Sequence, residues 1–210
     1  VSTCGLRPFL PDAVNLWCVH SQVFDTPNNM EILKRVGNNQ EIWWYVNHTP
    51  PRPYANLFVD FTAMEHRILF WQAWALGMRG FQYWNINYIP EGQNPYDGLL
   101  DATPVNGDGI LVYPGPNGPV NSIRWEIIRD GIEDYDYLSL FMDRRNRLIE
   151  RGKQDALLAR AAAVFNLEAV VPNLVTFTRD STVLQKKRAE IAGMIEEMDK
   201  ALAVSSTPQL

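Results

Sequence analysis

Three short segments of the chain end in the same kinds of side chain. Trp17 is followed by His20, Tyr45 by Asn47 and His48, and the pair Tyr83 and Trp84 by Asn85 and Asn87. Aromatic faces can cover the C–H patches of a sugar, and amide and imidazole groups can pair with its hydroxyls. These residues are therefore the candidate carbohydrate-binding set. The competing reading is that the aromatics fill a core, and for any one ring taken alone it is the better account. Three segments ending alike give the set its weight.

The carboxylates are placed less suggestively. Glycoside hydrolysis usually needs two carboxyl groups about 5–9 Å apart, and none of the three segments ends in Asp or Glu. Asp60 and Glu65 fall at a helix start, where acids favour the dipole. Glu91, Asp97, Asp101 and Asp108 fall in a long loop and are expected in solvent. Glu133, Asp134 and Asp136 fall inside a helix, where ion pairing is the expected role. The pattern offers no G-x-S-x-G, no Walker loop and no G-x-G-x-x-G. His20, His48 and His66 are too scattered for a metal site, and no C-x-x-C is present. The expectation is no metal and no cofactor. Cys4 and Cys18 are open to two readings, one disulfide or two buried thiols.

These side chains need elements to hold them. Ala13–Val19, Glu41–Val46 and Gly80–Ile86 are short apolar runs rich in aromatic and β-branched residues, and they read as strands covered on both faces. Such strands belong to parallel sheets packed with helices, and ligands of such folds sit at the carboxyl ends of the strands. Helical spacing appears over 28–39 and 61–78, which makes successive βα units. Residues 87–120, rich in proline and glycine, read as an irregular loop. A helix then starts at Asn121 or Ser122, with Ile123, Ile127, Gly131, Tyr135, Leu138 and Met142 on its apolar stripe. Two further helices follow, over 154–170 and 182–203.

The whole chain has 210 residues, is 46% hydrophobic and 20% charged, and carries a net charge of −5. That composition excludes a disordered chain. The acidic balance gives no footprint for nucleic acid, and no apolar run is long enough for a membrane span. All seven Trp lie between Trp17 and Trp125, so an aromatic, loop-rich part precedes a helical tail. The start at Val1 shows no signal pattern, and the expectation is a processed chain or a piece of a longer one. Three strands cannot close a barrel, which takes about 250 residues.

The motifs carry a resemblance. Trp43-Trp44-Tyr45, the run Gly80–Asn87, the run Gly107–Gly115 and the run Ser122–Leu138 occur in order. Together they resemble the C-terminal part of the catalytic domain of glycoside hydrolase family 123 (the DUF4091 family), over roughly residues 12–145. The resemblance implies an α/β chain with about three βα units of a (β/α)8 TIM-like barrel over 1–150, and helices packed on it over 151–210. It also implies removal of terminal β-linked N-acetylgalactosamine by a retaining mechanism in which the substrate's own acetamide attacks the anomeric carbon. An adjacent Asp-Glu pair does that chemistry in the family. This chain contains no Asp-Glu dipeptide, so catalytic residues are expected outside it, in a missing N-terminal half of the barrel that would be its partner. A secreted or periplasmic bacterial location is implied by the resemblance alone. The alternative function is a non-catalytic carbohydrate-binding or scaffold homologue.

Overall fold

The structure, a computed structural model, describes residues 2–3, 14–25, 40–96, 106–152 and 155–204. Cys4 and the helix expected over 28–39 lie outside these residues. Four parallel strands form one sheet in the order β1 (Ser2–Thr3), β2 (Leu16–His20), β3 (Glu41–Tyr45) and β4 (Gly80–Gln82). The sequence reading expects three strands; β1 is only two residues long, too short to show a period.

Register explains where the strands stop. Trp17 pairs with Ile42 and Val19 with Trp44, and His20 is the last residue of β2 rather than a residue beyond it. β4 pairs Gly80 with Trp43, Phe81 with Trp44 and Gln82 with Tyr45. There β3 ends, so β4 has nothing left to pair with and stops at Gln82, four residues short of the expected Ile86.

Helix α1 (Ala63–Ala75) follows β3. Thr62 caps it in a reciprocal box: its hydroxyl accepts from Glu65 N–H, and Glu65 Oε2 accepts from Thr62 N–H at 2.8 Å. This satisfies two amides that a helix start otherwise leaves open. Met64, Ile68, Leu69, Phe70, Trp71 and Ala73 are all buried, so α1 is covered on more sides than a single stripe.

Helix α2 (Ile123–Glu150) is capped by the Ser122 hydroxyl, which accepts from Trp125 N–H at 3.2 Å. Its buried stripe differs from the expected one at its start. Ile123 is 76% exposed, while Arg124 is buried. The Arg124 guanidinium donates to the carbonyls of Leu57, Gly107 and Ile110 and to Tyr113 Oη. Those groups outrank an isoleucine for the inner position, because buried carbonyls left without donors are costly. Further along, Gly131, Leu138 and Phe141 face inward onto α1 and the tail. A Cβ on Gly131 would run into the Phe70 ring of α1.

The stretch 87–120 is not wholly irregular. Val112–Gly115 (β5) and Gly118–Asn121 (β6) form an antiparallel hairpin. Its two turn residues are Pro116 and Asn117, and Gly118 opens β6 at a positive φ. The tail consists of α3 (Asp155–Val164), shorter than the expected 154–170, and α4 (Ser181–Val204). Leu184, Ile191, Ile195, Met198 and Leu202 of α4 are buried. Arg188 of α4 reaches Asp134 of α2 at 2.8 Å. Arg179, just before α4, reaches Glu65 of α1 at 3.3 Å.

On its far side from β3, β4 has no strand beside it among the described residues. Between β4, α1 and α2 lies an apolar groove of about 470 Å³, lined by Phe70, Phe81, Ile86, Trp125, Ile128 and Ile132 among others.

Candidate functional site

The carboxyl ends of β2 and β3 enclose a hollow of about 390 Å³ lined by His20, Gln22, Val23, Tyr45, Asn47, His48 and Thr49. His20 and Tyr45 close the two strands, and their rings meet edge to face at 5.1 Å. Gln22 N–H donates to His20 Nδ1, which places the ring proton on Nε2. From there it faces Thr49 Oγ1 at 2.9 Å and the Thr49 carbonyl at 3.2 Å. The Thr49 hydroxyl in turn donates to Asn47 Oδ1 at 3.0 Å, and so does Thr49 N–H. Burial moves the His20 pKa below its ordinary value, against the opposing pull of its Thr49 and Asn47 hydrogen bonds. Both imidazole nitrogens are thus engaged by the protein, which fixes the ring at the wall of the hollow.

The loop after β4 builds a second feature. Tyr83 turns inward, and its hydroxyl donates to Asp108 Oδ1 at 2.8 Å while accepting from Gly109 N–H at 2.9 Å. Burial and the Asp108 charge push the Tyr83 phenol far above its usual range. Trp84 lies outside the strand and is 45% exposed. Its Nε1–H donates to both Asp108 oxygens at 3.1 Å. The indole lies over Gly109, where a Cβ would come within 2.5 Å of the ring, and Gly109 has a φ of +74° that other residues rarely adopt. Tyr88, 46% exposed, meets Trp84 at 5.0 Å with the rings inclined by 54°. An open aromatic corner results, with a carboxylate at its base.

The candidate residues from the sequence divide accordingly. His20, Tyr45, Asn47 and His48 come together at the β2–β3 hollow. Tyr83 and Trp84 share Asp108. The Asn85 Oδ1 accepts from Asn87 N–H at 2.9 Å, which folds the chain back on itself. Asn87 bridges to Ile110. Trp17 does not join either group. It is 0% exposed, the second residue of β2, and its Nε1–H donates to Gln40. It belongs to the core because it enters the strand well before the carboxyl end.

The sequence places Asp108 in a solvated loop, yet it is the shared acceptor of the Trp84 corner. The signal was present in Gly107-Asp108-Gly109, a turn whose two glycines both adopt positive φ. Asp134 and Glu65 behave as ion-pairing groups. Asp134 is fully buried and accepts from Arg67, Arg188 and Trp71. Glu65 is fully buried against Arg52, Arg179 and the Thr62 cap. Among the described residues, no group of three His, Cys, Asp or Glu could hold a metal ion, and no helix is long and apolar enough to cross a membrane.

In α/β proteins with parallel sheets, ligands sit at the carboxyl ends of the strands. The model of the glycoside hydrolase 123 catalytic domain matches residues 11–141, and the chain belongs to that family. A solved structure of a family 123 glycoside hydrolase from Clostridium perfringens, described as acting in glycolipid glycan hydrolysis, is similar in fold. It superposes with a TM-score of 0.56 at 15% identity, covering 95% of this chain and 34% of that one. The chain thus spans about a third of the length of that hydrolase. No curated protein matches the sequence.

Proposed function

We propose that this chain is the C-terminal part of a carbohydrate-active (β/α)8 barrel enzyme that removes terminal β-linked N-acetylgalactosamine. In this reading the chemistry is retaining and substrate-assisted, and its Asp-Glu pair lies outside the chain. The observation that carries the reading is the family match over 11–141, set beside a sequence without an Asp-Glu dipeptide. This chain's part is recognition. The Trp84–Tyr88 corner covers a sugar face, and His20, Tyr45, Asn47, His48, Asn85 and Asn87 present hydrogen-bonding groups at neighbouring strand ends. The unpaired side of β4 and the apolar groove beside it are where the remaining strands of the barrel would pack. A secreted or periplasmic location accords with a glycan substrate.

The test is turnover of an aryl β-N-acetylgalactosaminide. The full-length protein should hydrolyse it with retention, and the isolated 210-residue chain should not. Turnover by the isolated chain would put the catalytic groups inside it. Sugar binding without turnover by the full-length protein would instead favour a non-catalytic carbohydrate-binding homologue.

A further inference from the structure

We infer that Asp108 is a positioning residue that holds the Trp84 indole open as a sugar platform; this rests on the reading of Trp84 as sugar-binding. A tryptophan nearly half exposed on a loop has several rotamers open to it and would lose them on binding, at a cost in affinity. Here the ring is restrained on three sides. Asp108 accepts from its Nε1–H through both oxygens at 3.1 Å. Gly109 removes any side chain from beneath its six-membered ring. Tyr88 stands against it at 5.0 Å. The carboxylate is itself aimed: Tyr83 Oη–H donates to its Oδ1 at 2.8 Å, and Tyr83 is fixed by Gly109 N–H. The chain Gly109–Tyr83–Asp108–Trp84 therefore closes on itself. It runs from the backbone of one turn back to the ring that lies over that turn. None of these bonds is needed to close a strand or cap a helix, since β4 has already ended at Gln82.

Oδ1 alone accepts from both Tyr83 and Trp84. This sets Asp108→Asn apart from Asp108→Ala. The asparagine keeps Oδ1 but puts an NH2 donor where Oδ2 accepts from the indole, so it should hold the ring in part, whereas the alanine should release it.

The experiment uses the full-length protein and methyl β-N-acetylgalactosaminide as the probe. Affinity is read by calorimetry, and the Trp84 indole N–H is followed by NMR after assignment through Trp84→Phe. Trp84→Ala should weaken binding about tenfold, the scale of one well-placed aromatic contact. Asp108→Ala should weaken it by a similar factor, shift the indole resonance towards solvent-exposed values, and add nothing to Trp84→Ala in the double variant. Asp108→Asn should fall between wild type and Asp108→Ala in both affinity and resonance. If Asp108→Ala does not fold, Tyr83→Phe, which frees the carboxylate, should shift the same resonance and weaken binding several-fold. An unchanged resonance and affinity there overturns the inference. So does full affinity in a folded Asp108→Ala, or losses for Asp108 and Trp84 that add, which would mean the carboxylate meets the sugar by itself. Full affinity in Trp84→Ala overturns the platform reading instead.

Discussion

His66 sits beside Glu65 in the first turns of α1, and the two respond to acid in different windows. The His66 Nε2–H donates to the Phe58 carbonyl at 2.9 Å, while Nδ1 is buried without a partner. A second proton would have no acceptor, and burial holds the pKa down at about 4. Above the ordinary value of 6.5, folded and unfolded chains are both neutral at this residue. As pH falls below it the unfolded chain takes up a proton and the folded chain does not, so stability drops until about pH 4, by up to about 3 kcal/mol. Glu65 is also perturbed: burial would raise its pKa, but Arg52 and the Thr62 amide prevail and hold it at about 2. Its contribution is present above its ordinary 4.5 and is lost as pH falls from there. The two windows adjoin, so urea stability should decline continuously from near neutrality. His66→Gln should flatten only the upper part of that decline, and an unchanged slope between about pH 6 and pH 5 would refute the assignment.

At the scale of elements, α1 and α2 meet where Gly131 faces Phe70. Gly131→Leu should destabilise by about 1–3 kcal/mol through overpacking, and even Gly131→Ala should lower the melting temperature, although alanine is the better helix former. A melt of either variant matching wild type would contradict the contact. Gly131 was legible in the sequence because it stands on a regular apolar period. Its partner was not: the period says inward, and the ring it meets belongs to a helix rather than to the sheet. Ile123 departs from its expected inward place for a related reason. Hydrophobicity favours the isoleucine, and only the folded loops bring three carbonyls to where the guanidinium can meet them. The hairpin β5–β6 was hidden by proline content, although Pro116 and Asn117, its two turn residues, are common turn formers. The strand ends were legible as chemistry, yet Trp17 and Trp84 carried the same signal. What separates them is the ladder, which keeps the first inside the sheet and ends just before the second. Asp108 illustrates the remainder, since its role as an acceptor depends on a turn that no periodicity describes.

For the molecule as a whole, the groove beside β4 predicts how the isolated chain behaves. Ile86 is 40% exposed and Ile132 is 48% exposed at its rim, and among the described residues the strand edge beside it has no neighbour to pair with. The isolated chain should bind a hydrophobic dye and self-associate as concentration rises. Co-expression with the proposed N-terminal half should suppress both. A chain that stays monomeric and dye-silent on its own would argue that this face needs no cover.

The tail has a different consequence, one for genetics. Arg179 and Arg188 send their charges back to Glu65 and Asp134, two fully buried carboxylates on the earlier helices. Leu184, Ile191 and Met198 complete the same core. A premature stop codon ahead of Arg179 would therefore spare every residue of the sugar-facing corner and still behave as a null allele. The truncated product should be cleared by proteases or found insoluble, with no partial activity to select for. Reversion should then come only by changes that let translation read through α4.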